Sequence, residues 1–256
     1  MITSNLIRLS IFYGRNQWAI LLKEISYFYV THKNLISFIY FRFSYYLGDH
    51  IDLIVDSCFF DKVQLYEVFQ DFVTNTPSDT SQLLEWRGYD LWKHYDNNTV
   101  HVDIFHFDDR IINCKKKELD FLSMLSRAGL NICGNFDDID SIYLFLVVQA
   151  LKYPIMRKDK FLNGVGINVN HEIVSSDVIN LLDSYLLFCP MDGSLFEEVQ
   201  LWETYNSNIF HKSVSQKVSY FFFVYNEIKL QYNIGGYQNE ILSSVIMSYY
   251  QAKIGV

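Results

Sequence analysis

Two apolar, β-rich runs, Ser37 to Tyr45 and Ile51 to Phe60, flank the short turn Leu47-Gly48-Asp49-His50, and this arrangement constrains the chain more than any other. Branched and aromatic side chains favour extended backbone, whereas Gly and Asp supply the turn conformations that such residues resist. The segment therefore predicts an antiparallel hairpin with Arg42, Gly48, Asp49 and His50 at or near its loop.

The surrounding sequence alternates strand and helix signals. Leu6 to Tyr13 reads as a strand, and Gln17 to Thr31 as a helix with Trp18, Leu21, Leu22, Ile25 and Phe28 at three-and-four spacing. Asp61 to Val73 is helical in pattern, and Asn75 to Asp79 carries a loop signal. Val100 to Phe107 alternates as a strand does, with Val100, Val102, Ile104 and His106 on one face. Lys117 to Ala128 and Asp140 to Lys152 predict helices, the second ending before Pro154, and the glycine-bearing stretch Lys158 to Asn170 predicts a mobile loop. Ser176 to Phe188, Leu195 to Tyr205, Val214 to Gln231 and Tyr237 to Lys253 read as helices, with Gly235-Gly236 between the last two. The fold class is α+β, with a mixed, largely antiparallel sheet flanked by helices and a helical C-terminal third. A single unit over residues 1–256 is expected, divisible into halves near 1–110 and 111–256, with no visible internal repeat.

Composition limits what such a fold can do. The chain has 256 residues, half of them hydrophobic, and three prolines, so it can bury a sizeable core. Aromatic residues make up 17%, led by 21 Phe and 19 Tyr, which predicts a bulky core or apolar grooves with polar rims. A formal net charge of -8 argues against a phosphate-tracking surface, and Lys115-Lys116-Lys117 reads as a solvated turn or helix start. No nucleic-acid partner is expected. No apolar run approaches the roughly 20 residues of a membrane span, and a cytoplasmic protein is expected.

Motif-bearing chemistry is sparse. The chain has no Gly-rich phosphate loop, GxSxG elbow, HExxH pair or EF-hand loop. Cys58, Cys114, Cys133 and Cys189 lack CxxC spacing and nearby histidines, and are read as reduced core thiols. His101 and Asp103 share a strand face while His106 points the other way, so two candidate ligands converge, too few for a metal, and a surface or cross-strand role is preferred. The aromatic and charged stretch Trp86 to Tyr95 is read as a packed edge or loop rather than a peptide-binding segment. Neither metal nor cofactor is expected.

The stretch Phe38-Ile-Tyr-Phe-Arg-Phe-Ser-Tyr-Tyr-Leu-Gly-Asp-His-Ile-Asp-Leu53 resembles the FFIRY…GxHLRLR segment of the C-terminal elimination domain of lantibiotic dehydratases, also described as the thiopeptide-type bacteriocin biosynthesis domain. The upstream helix with Trp18 and Leu21-Leu22 falls where that family has its opening helix. Ser219-Tyr-Phe-Phe-Phe-Val-Tyr-Asn-Glu-Ile228 is similar to the family's SLLHMxxNRL helix, and Glu240-Ile-Leu sits at its closing E-x-x-L pattern. The resemblance covers the frame of the chain more than its middle.

The resemblance implies action on a leader-bearing ribosomal precursor peptide. In the family, glutamate is removed from glutamylated Ser or Thr, which needs a base for the α-proton and cationic donors for the developing negative charge. His50 and Arg42 match family positions, but the two arginines of HLRLR are Asp52 and Ile54 here, the HM pair is Phe222-Phe223, and Glu227 follows Asn226 in place of Arg. A carboxylate or alkyl group cannot replace an arginine fork in an anion site. The stand-alone pyridine synthases of thiopeptide biosynthesis, similar in fold, also depart from that pattern. They join two dehydroalanines in a formal aza-[4+2] cyclisation and expel water and leader peptide, which calls for an aromatic cavity, a donor to the reacting amide and a base.

Pyridine formation is thus the first expectation. A glutamate-eliminating half of a split dehydratase, with a glutamylating partner subunit, is the second, and a non-catalytic peptide-binding scaffold the third. The expected roles are His50 as acid/base, Tyr46 as donor to the amide and Arg42 as a partner orienting the loop, with Trp18, Asp52, Phe222, Tyr225 and Asn226 contacting substrate. Each has a plainer alternative. His50 would ordinarily be an exposed turn residue, Arg42 an ion-pair partner of Asp49 or Asp52, Asn226 a buried core amide, and Tyr46 and Tyr225 packing groups. The expected state is a monomer or homodimer.

Overall fold

The computed structural model describes residues 6–45, 48–56, 60–79, 95–102, 116–156, 175–186, 224–233, 245 and 248–249. The chain divides into two compact units, Met1–Ile139 and Asp140–Val256.

In the first unit, β1 (Leu6–Phe12) leads through a 3-10 turn at Arg15–Gln17 into α1 (Trp18–His32), followed by β2 (Phe38–Ser44) and β3 (His50–Asp56). After α2 (Lys62–Asn75) come β4 (Thr99–Val102) and α3 (Lys116–Ile132). The expected hairpin forms, and β3 then pairs on its other side with β1, giving a four-stranded antiparallel sheet in the order β2-β3-β1-β4. The exposed-turn reading of His50 is corrected here. Its backbone belongs to β3, opposite Ser44 and Phe12, and only Gly48 and Asp49 lie in the described part of the turn.

Register divides the sheet into two faces, because directly opposed residues project the same way. One carries Ile7, Leu9, Ile11, Ile39, Phe41, Phe43, Ile51, Leu53 and Val55, all buried. Trp18 of α1 lies against Phe43, ring centroids 4.8 Å apart, and Phe72 of α2 against Tyr13 at 5.9 Å, which places this face under helices. Each such side chain contributes about 1.5–3 kcal/mol through the water it excludes. The other face carries Phe12, Ser10, Arg8, His50, Asp52, Ile54, Ser44, Arg42, Tyr40, Thr99 and His101.

Helix ends and sheet edges are satisfied by local chemistry. Asp61 caps α2 by accepting from the Gln64 amide at 2.9 Å, while the Gln64 side chain accepts from the Asp61 amide at 3.2 Å. Along the outer edge of β2, the amides of Ile39 and Phe41 donate to the hydroxyls of Ser123 and Ser126 on α3, at 3.3 and 3.4 Å. Arg127 donates to the Ser37 carbonyl at 3.1 Å. At the opposite edge the Val100 amide donates to Gln70 Oε1 of α2 at 3.0 Å. Ser26 of α1 donates to the Leu130 carbonyl of α3 at 2.7 Å. Cys133 is buried with its thiol on the same carbonyl at 3.0 Å, and burial pushes it up to about 11. Lys116 begins α3 and is exposed, in keeping with a solvated helix start.

The second unit is helical where described: α4 (Ile139–Met156), α5 (Ser176–Leu186) and α6 over 224–232, with helical backbone again at 245 and 248–249. The expected stop before Pro154 is corrected, since α4 runs through it. Pro154 lies close to the helix end and removes only its own bond to the carbonyl of residue 150, a loss that a final turn absorbs. Gln149 donates to the Tyr185 carbonyl at 2.6 Å and ties α4 to α5. The expected loop at Lys158 to Asn170, the helix at Leu195 to Tyr205, the segment Trp86 to His94, and Cys58, Cys114 and Cys189 lie outside the described residues.

Candidate functional site

A carboxylate in the middle of a sheet must collect donors or be lost to desolvation. Asp52 is 1% exposed and collects two, with an imidazole nitrogen beside them. The Ser10 hydroxyl donates to Oδ1 at 2.8 Å, Arg42 Nη2 donates to Oδ2 at 3.3 Å, and His50 Nε2 stands 3.4 Å from Oδ1. The register explains the convergence. Arg42, Asp52, Ser10 and His101 form one row across all four strands, and Ser44, His50, Phe12 and Thr99 form the adjacent row.

His50 is itself 1% exposed. Its Nδ1 lies 2.8 Å from the Gly48 carbonyl, and a carbonyl only accepts, so Nδ1 carries a hydrogen and Nε2 faces the Asp52 carboxylate. Gly48 makes this contact with φ near +123°, a conformation that side chains resist, and a Cβ there would meet the Phe12 ring at 3.2 Å. The loop is thus moulded against Phe12, whose ring centroid lies 4.6 Å from that of His50.

On the far side of Phe12 stands His101, half-buried, edge-on to Phe12 at 5.6 Å and tilted against Tyr95 at 4.5 Å. The turn that delivers it is pinned by Ser78. The Ser78 hydroxyl accepts from the Gly14 amide at 2.7 Å and the Asn97 side chain at 2.7 Å, and donates to Asn98 Oδ1 at 2.9 Å. Asn98 adopts the left-handed backbone, φ 61°, that turns the chain into β4. Burial lowers the His101 imidazole below its ordinary value, with the Asp96 charge opposing.

The expected site residues do not all meet. Arg42, His50 and Asp52 form one network, with Arg42 taking Asp52 as its ion-pair partner. Trp18 is 2% exposed, with Nε1 donating to the Tyr13 carbonyl at 2.8 Å and its ring stacked on Tyr45 at 5.3 Å. It fixes the chain leaving β2, where Arg15 lies over the Tyr45 ring at 4.9 Å. Tyr46 and Phe222 lie outside the described residues, as do Asp103 and His106. In the second unit, Tyr225 is half-buried, and with burial its proximity pushes the Tyr143 phenol up. The buried-amide reading of Asn226 is corrected: it is exposed, because Val224, Glu227, Ile228, Gln231 and Tyr232 occupy the inward positions of α6.

Sequence reasoning missed Ser10, Phe12 and Tyr95. The usable signal was the alternation in Arg8-Leu9-Ser10-Ile11-Phe12, which sets Ser10 and Phe12 on the face opposite the leucine and isoleucines. Among the described residues no group of three or more His, Cys, Asp or Glu is placed to hold a metal ion, and no helix is long and apolar enough to cross a membrane.

No family model matches the chain, and no curated protein matches it. Among solved structures it is similar to the pyridine synthase TbtD from thiomuracin biosynthesis, with a TM-score of 0.63 over 98% of this chain and 99% of that one. Sequence identity is 12%, so the likeness is one of fold.

Proposed function

We propose that this protein tailors a ribosomally made precursor peptide, joining two dehydroalanine residues by a formal aza-[4+2] cyclisation into a six-membered nitrogen ring and then expelling water and the leader peptide. The observation that carries this reading is the likeness of fold to a pyridine synthase across nearly the whole of both chains. The resemblance at Phe38 to Leu53 and Ser219 to Ile228 points to the same peptide-modifying group.

The network around Asp52 favours cyclisation over glutamate elimination. A site that binds a departing glutamate carboxylate needs an uncompensated cation, and here Arg42 faces Asp52 at 3.3 Å. An incoming carboxylate would meet a buried like charge on the same sheet face. His50 is fixed within the network, its Nδ1 donating to the Gly48 carbonyl and its Nε2 facing Asp52, with Arg42 orienting Asp52. In the same reading Tyr46 donates to the reacting amide, while Trp18, at 2% exposure, acts by packing and not by touching the peptide.

The test is incubation with a leader-bearing, azole-containing peptide carrying two dehydroalanines, read by mass spectrometry. Loss of one water and release of the leader as its amide is expected. An unchanged mass with retained peptide binding refutes catalysis in favour of a scaffold. Loss of glutamate from a glutamylated precursor refutes cyclisation in favour of elimination.

A further inference from the structure

We infer that His101, not His50, is the proton-accepting side chain of this sheet face. The inference rests on the reading above for its substrate but on hydrogen-bond direction for its chemistry. The Thr99 hydroxyl lies 2.6 Å from the Asp96 carbonyl, which only accepts, so the hydroxyl hydrogen is spent there. The same oxygen lies 3.0 Å from His101 Nε2 and must accept from it. Nε2 therefore carries the ring hydrogen, and Nδ1 of the neutral ring presents a lone pair. His50 is arranged the opposite way, with hydrogen on Nδ1, Nε2 against a carboxylate and its ring 1% exposed.

His101 is also placed where a substrate can reach it. It is half-buried at the sheet edge, set against the buried Phe12 ring and beside Tyr95, whose half-buried ring gives a planar unsaturated group a surface to lie against. Ser10 lies directly opposite it and connects its row to Asp52. The titratable and charged groups around it are Asp96 and Tyr95 in the preceding turn, Arg8 on β1, and His50, Asp52 and Arg42 in the rows beyond. Lys62, Tyr66, Glu67 and Asp71 lie on α2, alongside β4. Desolvation outweighs the Asp96 charge and keeps the ring neutral near neutral pH.

The step is a leader elimination. A ring C–H bond breaks and its proton goes to Nδ1, while its electron pair becomes the new ring π bond. The C–N pair departs with the leader amide nitrogen, which then takes the proton from the imidazolium. A base with a value at or just below the working pH suits this exchange.

Carbethoxylation with diethyl pyrocarbonate, mapped by mass spectrometry across pH, tests the base without any substrate. His101 should react before His50, at a rate rising through a midpoint below 6.5, the ordinary value for a histidine. Modification of His50 first, or a midpoint at or above that value, overturns the inference. With the dehydroalanine peptide, His101→Gln should lower kcat about 100-fold or more at little change in KM and abolish the acid limb of the pH profile. A variant within about threefold of wild type that keeps that limb overturns it too. A protein that passes the carbethoxylation arm yet forms no ring upholds His101 as the base and refutes the proposed reaction instead.

Discussion

Replacing Asp52 with Asn keeps the shape of the side chain and removes its charge, which isolates the electrostatic part of the sheet-face network. Three contacts change by different amounts. The bond from Ser10, 2.8 Å long, survives because an amide oxygen also accepts. The Arg42 pair loses about 0.5–1 kcal/mol, because the Arg42 side chain is 31% exposed and water screens it. The His50 contact is 3.4 Å long but lies between side chains each 2% exposed, and its loss costs about 1–2 kcal/mol. The sum is a destabilisation of about 1.5–3 kcal/mol, rising to about 4 kcal/mol for Asp52→Ala, which also orphans Ser10. Urea denaturation followed by tryptophan fluorescence measures both. Repeating Asp52→Asn in a His50→Asn background should return a coupling of about 1 kcal/mol. A single variant within about 0.5 kcal/mol of wild type, or zero coupling, would refute the argument that this carboxylate organises the face.

Three other variants probe separate physical claims. Gly48→Ala forces a Cβ into positive φ and to 3.2 Å from Phe12, so it should cost about 1–3 kcal/mol, and an unchanged denaturation midpoint would count against the tight loop. Ser123→Ala with Ser126→Ala leaves the outward amides of Ile39 and Phe41 without acceptors at about 1–3 kcal/mol each, and light scattering on warming should rise. Since burial holds His101 below 6.5, the unfolded chain binds more protons between the two values. Stability should then fall as pH drops through that window, and the slope of thermal midpoint against pH should flatten in His101→Gln. Equal slopes would refute the lowered value.

Local pattern made most of the first unit legible. The spacing of Leu21, Leu22, Ile25 and Phe28 located α1 within a residue at each end, because one helix face buries those side chains. The hairpin was equally plain from its turn. Strand order was not, because the pairing of β1 with β3 is a long-range match that hydrophobic pattern alone leaves open. That pairing brings Ser10 to Asp52, so the network was legible only in its hairpin half, Arg42 and Asp52. His50 misled as a turn residue because its burial comes from Phe12, across the sheet and far back in sequence. Asn226 misled because the apolar run before it hides which side of α6 faces inward.

The committed amides along the described sheet edges restrict how any added strand can be held. A chain that recognises a partner by adding it as an extra strand offers a ladder of unspent amides. Here the outward amides of Ile39, Phe41 and Val100 are already committed to Ser123, Ser126 and Gln70. An extended segment pairing at these three amides would have to displace the α3 or α2 side chains first. Under the proposed function, selection at these positions would then come from side chains reading the peptide's own side chains, a reading of chemical identity rather than of extended backbone.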